Sequence, residues 1–158
     1  MNRLFLFLLT GVLVLTGCAQ VAEGEEVEVH NYWARAASKG DNSAVYLLLH
    51  NHTKQDDEMI GASSDSAEAV EVHESKIGDD GIMRMIPQAS VPLPADGELE
   101  FAPGGLHIML VGVKKDFKPG DSIEIVLHFR IHEDISLTVP VMDTAEMGGA
   151  GMDGYVAP

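Results

Sequence analysis

Short stretches of alternating apolar and polar residues, each closed by a Gly, Pro or Asp turn, fill most of this 158-residue chain. The turn signals are Lys39-Gly40-Asp41-Asn42, Gly78-Asp79-Asp80-Gly81, Pro94-Ala95-Asp96-Gly97, Pro103-Gly104-Gly105 and Pro119-Gly120-Asp121. Val27 and Val29 alternate with Glu26, Glu28 and His30 ahead of Tyr32-Trp33, and strand-like text recurs at 45–50, 69–73, 82–86, 98–101, 107–111, 122–129 and 135–141. Helical periodicity is almost absent; only 62–69 reads as room for one helical turn. The spacing predicts an all-β domain, a sandwich or barrel of about eight short antiparallel strands.

The two ends follow different rules. Arg3 precedes an apolar run over 4–15, of signal-peptide length and too short to span a bilayer comfortably. The run closes on Leu15-Thr16-Gly17-Cys18, which resembles the bacterial lipobox and holds the single Cys of the chain. The expectation is a lipoprotein signal peptide over 1–17, lipidation of Cys18, and a small, acidic tether over 18–26. Acyl chains contribute about 0.8 kcal/mol per buried CH₂, and more than one gives stable anchoring. The protein would then sit in the bacterial envelope, periplasmic or extracytoplasmic, held to a membrane. Residues 142–158 are Gly-rich, acidic and aperiodic, with Met142, Met147 and Met152 at five-residue intervals, and read as a flexible tail. The folded domain is expected over 27–141.

Charge and cysteine usage remove whole classes of function. With 25 acidic against 10 basic residues the net charge is −15, which argues against nucleic-acid binding and against basic attachment to anionic lipid. One Cys excludes an internal disulfide and any CxxC site. There is no G-x-S-x-G elbow, no phosphate loop of Walker or Rossmann type and no HExxH pair, so no enzyme is expected.

What remains is histidine and methionine on strand-like text. His107-Ile108-Met109 puts an imidazole and a thioether two residues apart, on one face of a strand. Met83-Arg84-Met85 does the same with two thioethers, and a hairpin turning over 78–81 brings them toward His73. Any one of these residues alone is ordinary core or surface. Together, in an acidic exported domain without a free thiolate, they suit a soft, low-charge ion. Thioethers favour Cu(I) over Mg²⁺, Ca²⁺ or Zn²⁺, and a blue-copper centre needs a Cys that this domain lacks.

The chain resembles the periplasmic PCu(A)C copper chaperones, whose signature is a His, a Met and then His-x-Met. Twenty-one residues separate Met85 from His107-Ile108-Met109, as in the family. Between His73 and Met85 stands one residue more than the family pattern has, in the 78–81 turn, which keeps Met83 open as the alternative ligand. The resemblance extends over Tyr32-Trp33-Ala34-Arg35-Ala36, Ala44-Val45-Tyr46-Leu47, Gly61-Ala62-Ser63-Ser64 and 103–110. It implies a cupredoxin-like Greek-key β-sandwich and a Cu(I) site of His73, Met85, His107 and Met109. It also implies delivery of copper toward the Cu(A) subunit of cytochrome c oxidase, beside a Sco-type thiol protein.

Other roles compete on the same residues. An envelope copper buffer would use the same site, and a β-sandwich interaction lipoprotein would use none of it. His50-Asn51-His52 is also strand-spaced, but a zinc or Cu(II) site there needs a third ligand that the sequence does not place. It reads as an exposed strand end running into a polar loop. His30, His128 and His132 read as structural or exposed, and Trp33 and Tyr46 as core.

Overall fold

The computed structural model describes residues 26–143. The leader, Cys18, most of the tether and the tail from 144 onward lie outside the described residues, and so do Met147 and Met152.

Ten strands form one mixed sheet: β1 (Val27–Arg35), β2 (Ser43–Asn51), β3 (Asp57–Ser63), β4 (Ala67–Ile77), β5 (Met83–Pro87), β6 (Val91–Leu93), β7 (Glu98–Phe101), β8 (Leu106–Val113), β9 (Ser122–Phe129) and β10 (Ile135–Met142). Their order is β5-β4-β8-β2-β1-β10-β9-β3-β6. β7 and β8 share one side of β2: β7 pairs with Leu47 to His50, and β8 with Ser43 to Val45. The sheet folds over into a sandwich around one core. Val45, Leu47, Leu49, Ile108 and Leu110 meet Met59, Ile123, Ile125, Leu127 and Val139 in it, all at most 2% exposed. Alternation drives this: in β9 every second residue from Ile123 to Phe129 is buried, with more exposed residues between them.

The expected β-sandwich is present, with three corrections of detail. There are ten strands where about eight were read, because β3 and β6 carry weak signals. β3 is interrupted by Gly61 at φ +151°, and β6 has only three residues, one of them Pro92. One pair, β1 with β10, is parallel (Ala34↔Val141, Arg35↔Met142). The region 62–69 holds no helical turn: β3 ends at Ser63, a tight turn follows, and β4 begins at Ala67. There the Ser66 amide donates to the Ser64 hydroxyl at 3.2 Å, the local bonding by which serine competes with helix.

The buried polar residues are brackets between strands. Asn51, fully buried, donates through Nδ2 to the carbonyls of Gln55, Leu93 and Pro94, and its Oδ1 accepts from the Thr53 amide. Asn51→Ala would leave buried carbonyls without this donor. The expected cost is about 3 kcal/mol, read as a lower urea midpoint with unchanged slope. Asp57 accepts from the amides of Ile131 and His132 and so fixes the β9–β10 connection.

Candidate metal centre

β4 lies between β5 and β8, and its register decides which side chains meet. His73 pairs directly with His107, and Glu71 with Met109. Across the other edge, Ser75 pairs with Met85 and Ile77 with Met83. Side chains two apart on a strand share a face. His73, His107, Met109, Met85 and Met83 therefore all stand on one face, opposite to the one that sends Val72, Ile108 and Leu110 into the core.

Along that face the distances differ. His73 and His107 are abreast, their ring centres 5.9 Å apart and nearly perpendicular at 83°. Two imidazoles sharing one ion, each nitrogen roughly 2.0–2.1 Å from it, would have centres about that far apart. Met109 is next along β8. Met85 is diagonal to His73, within reach of a long side chain. Met83 is one further pair along the hairpin, beyond Met85.

Hydrogen bonding sets the tautomer of both rings. The His107 Nδ1–H donates to the Gly105 carbonyl at 3.1 Å, so Nε2 carries the lone pair. The His73 Nε2–H donates to the Glu71 carboxylate at 2.8 Å, so Nδ1 carries it. Both remaining nitrogens, His73 Nδ1 and His107 Nε2, are buried and have no hydrogen-bond partner. Leaving a buried polar atom unpaired costs about 1–3 kcal/mol, and here two occur in facing rings. Fixing one ring nitrogen with a carboxylate or carbonyl is how proteins orient an imidazole toward a metal. Glu71 was not singled out from sequence; its signal is the Glu-x-His spacing, which puts a carboxylate beside an imidazole on one strand face.

The thioethers frame this pair. Met109 is half-buried, whereas Met85 and Met83 are 55% and 57% exposed on β5, an edge strand with every residue exposed. The hairpin that carries them is held by its turn: Gly81, at φ +73°, donates its amide to the Gly78 carbonyl, and the Asp80 carboxylate pairs with Arg84. The Arg84 guanidinium, followed by the Ile82 amide, holds the Asp80 carboxyl below its ordinary range. The thioether on β8 is thus partly embedded in the sheet, and those on β5 are open to solvent.

Beside Met109 the same face is closed by aromatic packing. Ala44 pairs with Met109, Tyr46 is two residues further along β2, and Trp33 pairs with Tyr46, ring centres 4.6 Å apart. Trp33 and Tyr46 are buried, as expected, but with Ala44 in a small cluster of their own outside the main core. Burial pushes the Tyr46 hydroxyl above its ordinary range, with Arg35 opposing, so this phenol stays neutral. His128 is tied to Asp134 and Ser63 and is structural.

With this geometry in view, the comparisons are specific. The family model described as "Putative lipoprotein LpqE-like" matches residues 27–141. The Leifsonia xyli subsp. xyli protein named "Putative lipoprotein Lxx21020" is 29% identical over 141 residues, 84% of each chain. "Uncharacterized protein RP573" of Rickettsia prowazekii is 33% identical over 103 residues, 61% of this chain and 56% of that one. Among solved structures, the copper-bound PCuAC domain from PmoF2 matches with a TM-score of 0.63 at 23% identity, over 76% of this chain and 95% of that domain. The Cu(I) form of DR1885 from Deinococcus radiodurans matches at 0.56 and 24%, over 78% and 83%. At these identities the structures speak for the fold, which is the cupredoxin-like β fold of PCuAC domains. The chain belongs to the LpqE-like family, and its domain has the PCuAC fold.

Proposed function

We propose that this chain is an exported, lipid-anchored Cu(I) chaperone, and no enzyme. It holds one ion through His73, Met85, His107 and Met109, and passes it on toward the Cu(A) centre of cytochrome c oxidase. The observation that carries the reading is the facing pair of imidazoles, each tied through one nitrogen and with the other buried and unpartnered. Copper is bound by the PmoF2 domain and, as Cu(I), by DR1885, and this chain shares their fold. The donor set fits a soft monovalent ion: two neutral nitrogens and two thioethers bring no charge of their own. The exposed methionine on the β5 edge suits transfer, because an incoming ligand can displace it without opening the sheet. Cys18 would hold the domain at the membrane where such an acceptor sits.

The test is anaerobic Cu(I) titration of the full chain against a competing chelator. One tight equivalent is expected. Met85→Leu should weaken it about tenfold or more, since losing a ligand costs at least what losing an outer partner of one does, whereas Met83→Leu should leave it within about twofold. The reverse order would move the ligand to Met83, and no tight equivalent would sink the reading. Delivery is separated from simple buffering by deleting the gene. Loss of oxidase activity at low copper supports delivery; copper sensitivity with normal oxidase supports a buffer.

A further inference from the structure

The third ligand that His50 and His52 lack in sequence is supplied in space by β1. Glu28 pairs with His50 across β1 and β2, and Glu98 of β7 pairs with His50 from the other side. His30 and His52 stand two residues from Glu28 and His50, so all five side chains share one face of three adjacent strands. A single carboxylate oxygen, Glu28 Oε2, lies 3.0 Å from His30 Nε2 and 3.3 Å from His52 Nε2. The His50 and His52 rings are in contact, centres 3.8 Å apart, and Glu98 approaches His50 Nδ1 at 3.9 Å. Each of these side chains is between 31% and 61% exposed, so an ion reaches them from solvent.

We infer that this face is a second metal site, for a divalent late first-row cation of the Cu(II) or Zn(II) class, held by His30, His50 and His52 with Glu28. Imidazole and carboxylate suit these ions, and the absence of thioether or thiolate from the set disfavours Cu(I). Glu28 already occupies the point between two ring nitrogens. Replacing the ring proton that it accepts by a dication converts the hydrogen-bonded cluster into a coordinated one, with Glu98 and Glu100 adding negative charge on the same face. Among the described residues no three His, Cys, Asp or Glu side chains already surround one point. Binding therefore takes rotation of these partly exposed side chains, with the strands unmoved. The site is distinct from the His73–His107 pair: His50 is six residues along β2 from Ala44, the residue abreast of Met109, or roughly 20 Å at strand rise.

The experiment is titration of the metal-free full chain with Cu(II), buffered by glycine and followed by electron paramagnetic resonance, with Zn(II) as competitor. Wild type and the His107→Ala, Met109→Ala variant are both expected to take up one Cu(II) with nitrogen hyperfine structure that Zn(II) displaces. The His30→Gln, His52→Gln variant is expected to bind it at least tenfold more weakly while its anaerobic Cu(I) titration stays at the wild-type value. Glu28→Gln, a single exposed change, should weaken Cu(II) severalfold and serves if the double variant misfolds. Cu(II) affinity unchanged in both His30→Gln, His52→Gln and Glu28→Gln would overturn the inference. So would Cu(II) lost from the His107→Ala, Met109→Ala variant, which would assign the ion to the first site.

Discussion

His107→Ala combined with Met109→Ala is expected to lower Cu(I) affinity on the order of a thousandfold or more. Outer partners of a metal ligand alone contribute about 10–100-fold, and this pair removes an imidazole and a thioether together. His107 is the more consequential of the two, because it is 5% exposed, its Nε2 is buried without a partner, and its ring centre is 5.9 Å from that of His73. The substitution should leave the metal-free fold intact. The Gly105 carbonyl that His107 binds also accepts from the Ser75 amide at 3.0 Å, so it is not orphaned. One unpaired buried nitrogen disappears as well, which offsets part of the lost packing. The measurement is therefore two thermal melts per protein. A ligand at a hundred times its dissociation constant stabilises by about 2.7 kcal/mol. Wild type should rise in melting temperature on adding Cu(I); the double variant should melt near the metal-free wild type and not respond. An undiminished copper response in the variant would place the ion elsewhere.

The core of this arrangement is legible in sequence because strand periodicity is strict. His107 and Met109 share a face whatever the register, and so do Met83 and Met85. Pairing between strands is not legible in that way, since one residue of slip exchanges the two faces. The hairpin over 78–81 fixes it here: pairing Ile77 with Met83 puts Met85 opposite Ser75, diagonal to His73. That registry agrees with the twenty-one-residue spacing to His107, which already favours Met85 over Met83. Glu71 was invisible for another reason. A Glu two residues before a His is common on exposed strands, and only burial of the ring shows that the carboxylate decides a tautomer. His30 and Glu28 joined His50 and His52 only once β1 was laid against β2. β3 and β6 were missed because Gly61 and Pro92 blur the alternation by which strands are read. The same mixed signals made 62–69 look like a place for a helical turn.

Acid is expected to strip Cu(I) from the first site, with a dependence that counts its imidazoles. A metal and a proton compete for the same ring lone pair, whereas a thioether takes up no proton in this range. Each histidine that must give up a proton before binding adds one unit to the limiting slope of log affinity against pH. Protons compete with Cu(I) for His73 Nδ1 and His107 Nε2, so affinity falls toward acid. With both rings as ligands the slope should approach two in acid. The measurement is a chelator competition at half-unit pH steps, with circular dichroism of the metal-free protein over the same range to exclude unfolding. A slope near one would leave a single imidazole on the ion. A flat profile would mean that the methionines bind without the histidines, and the facing ring pair would lose its assigned role.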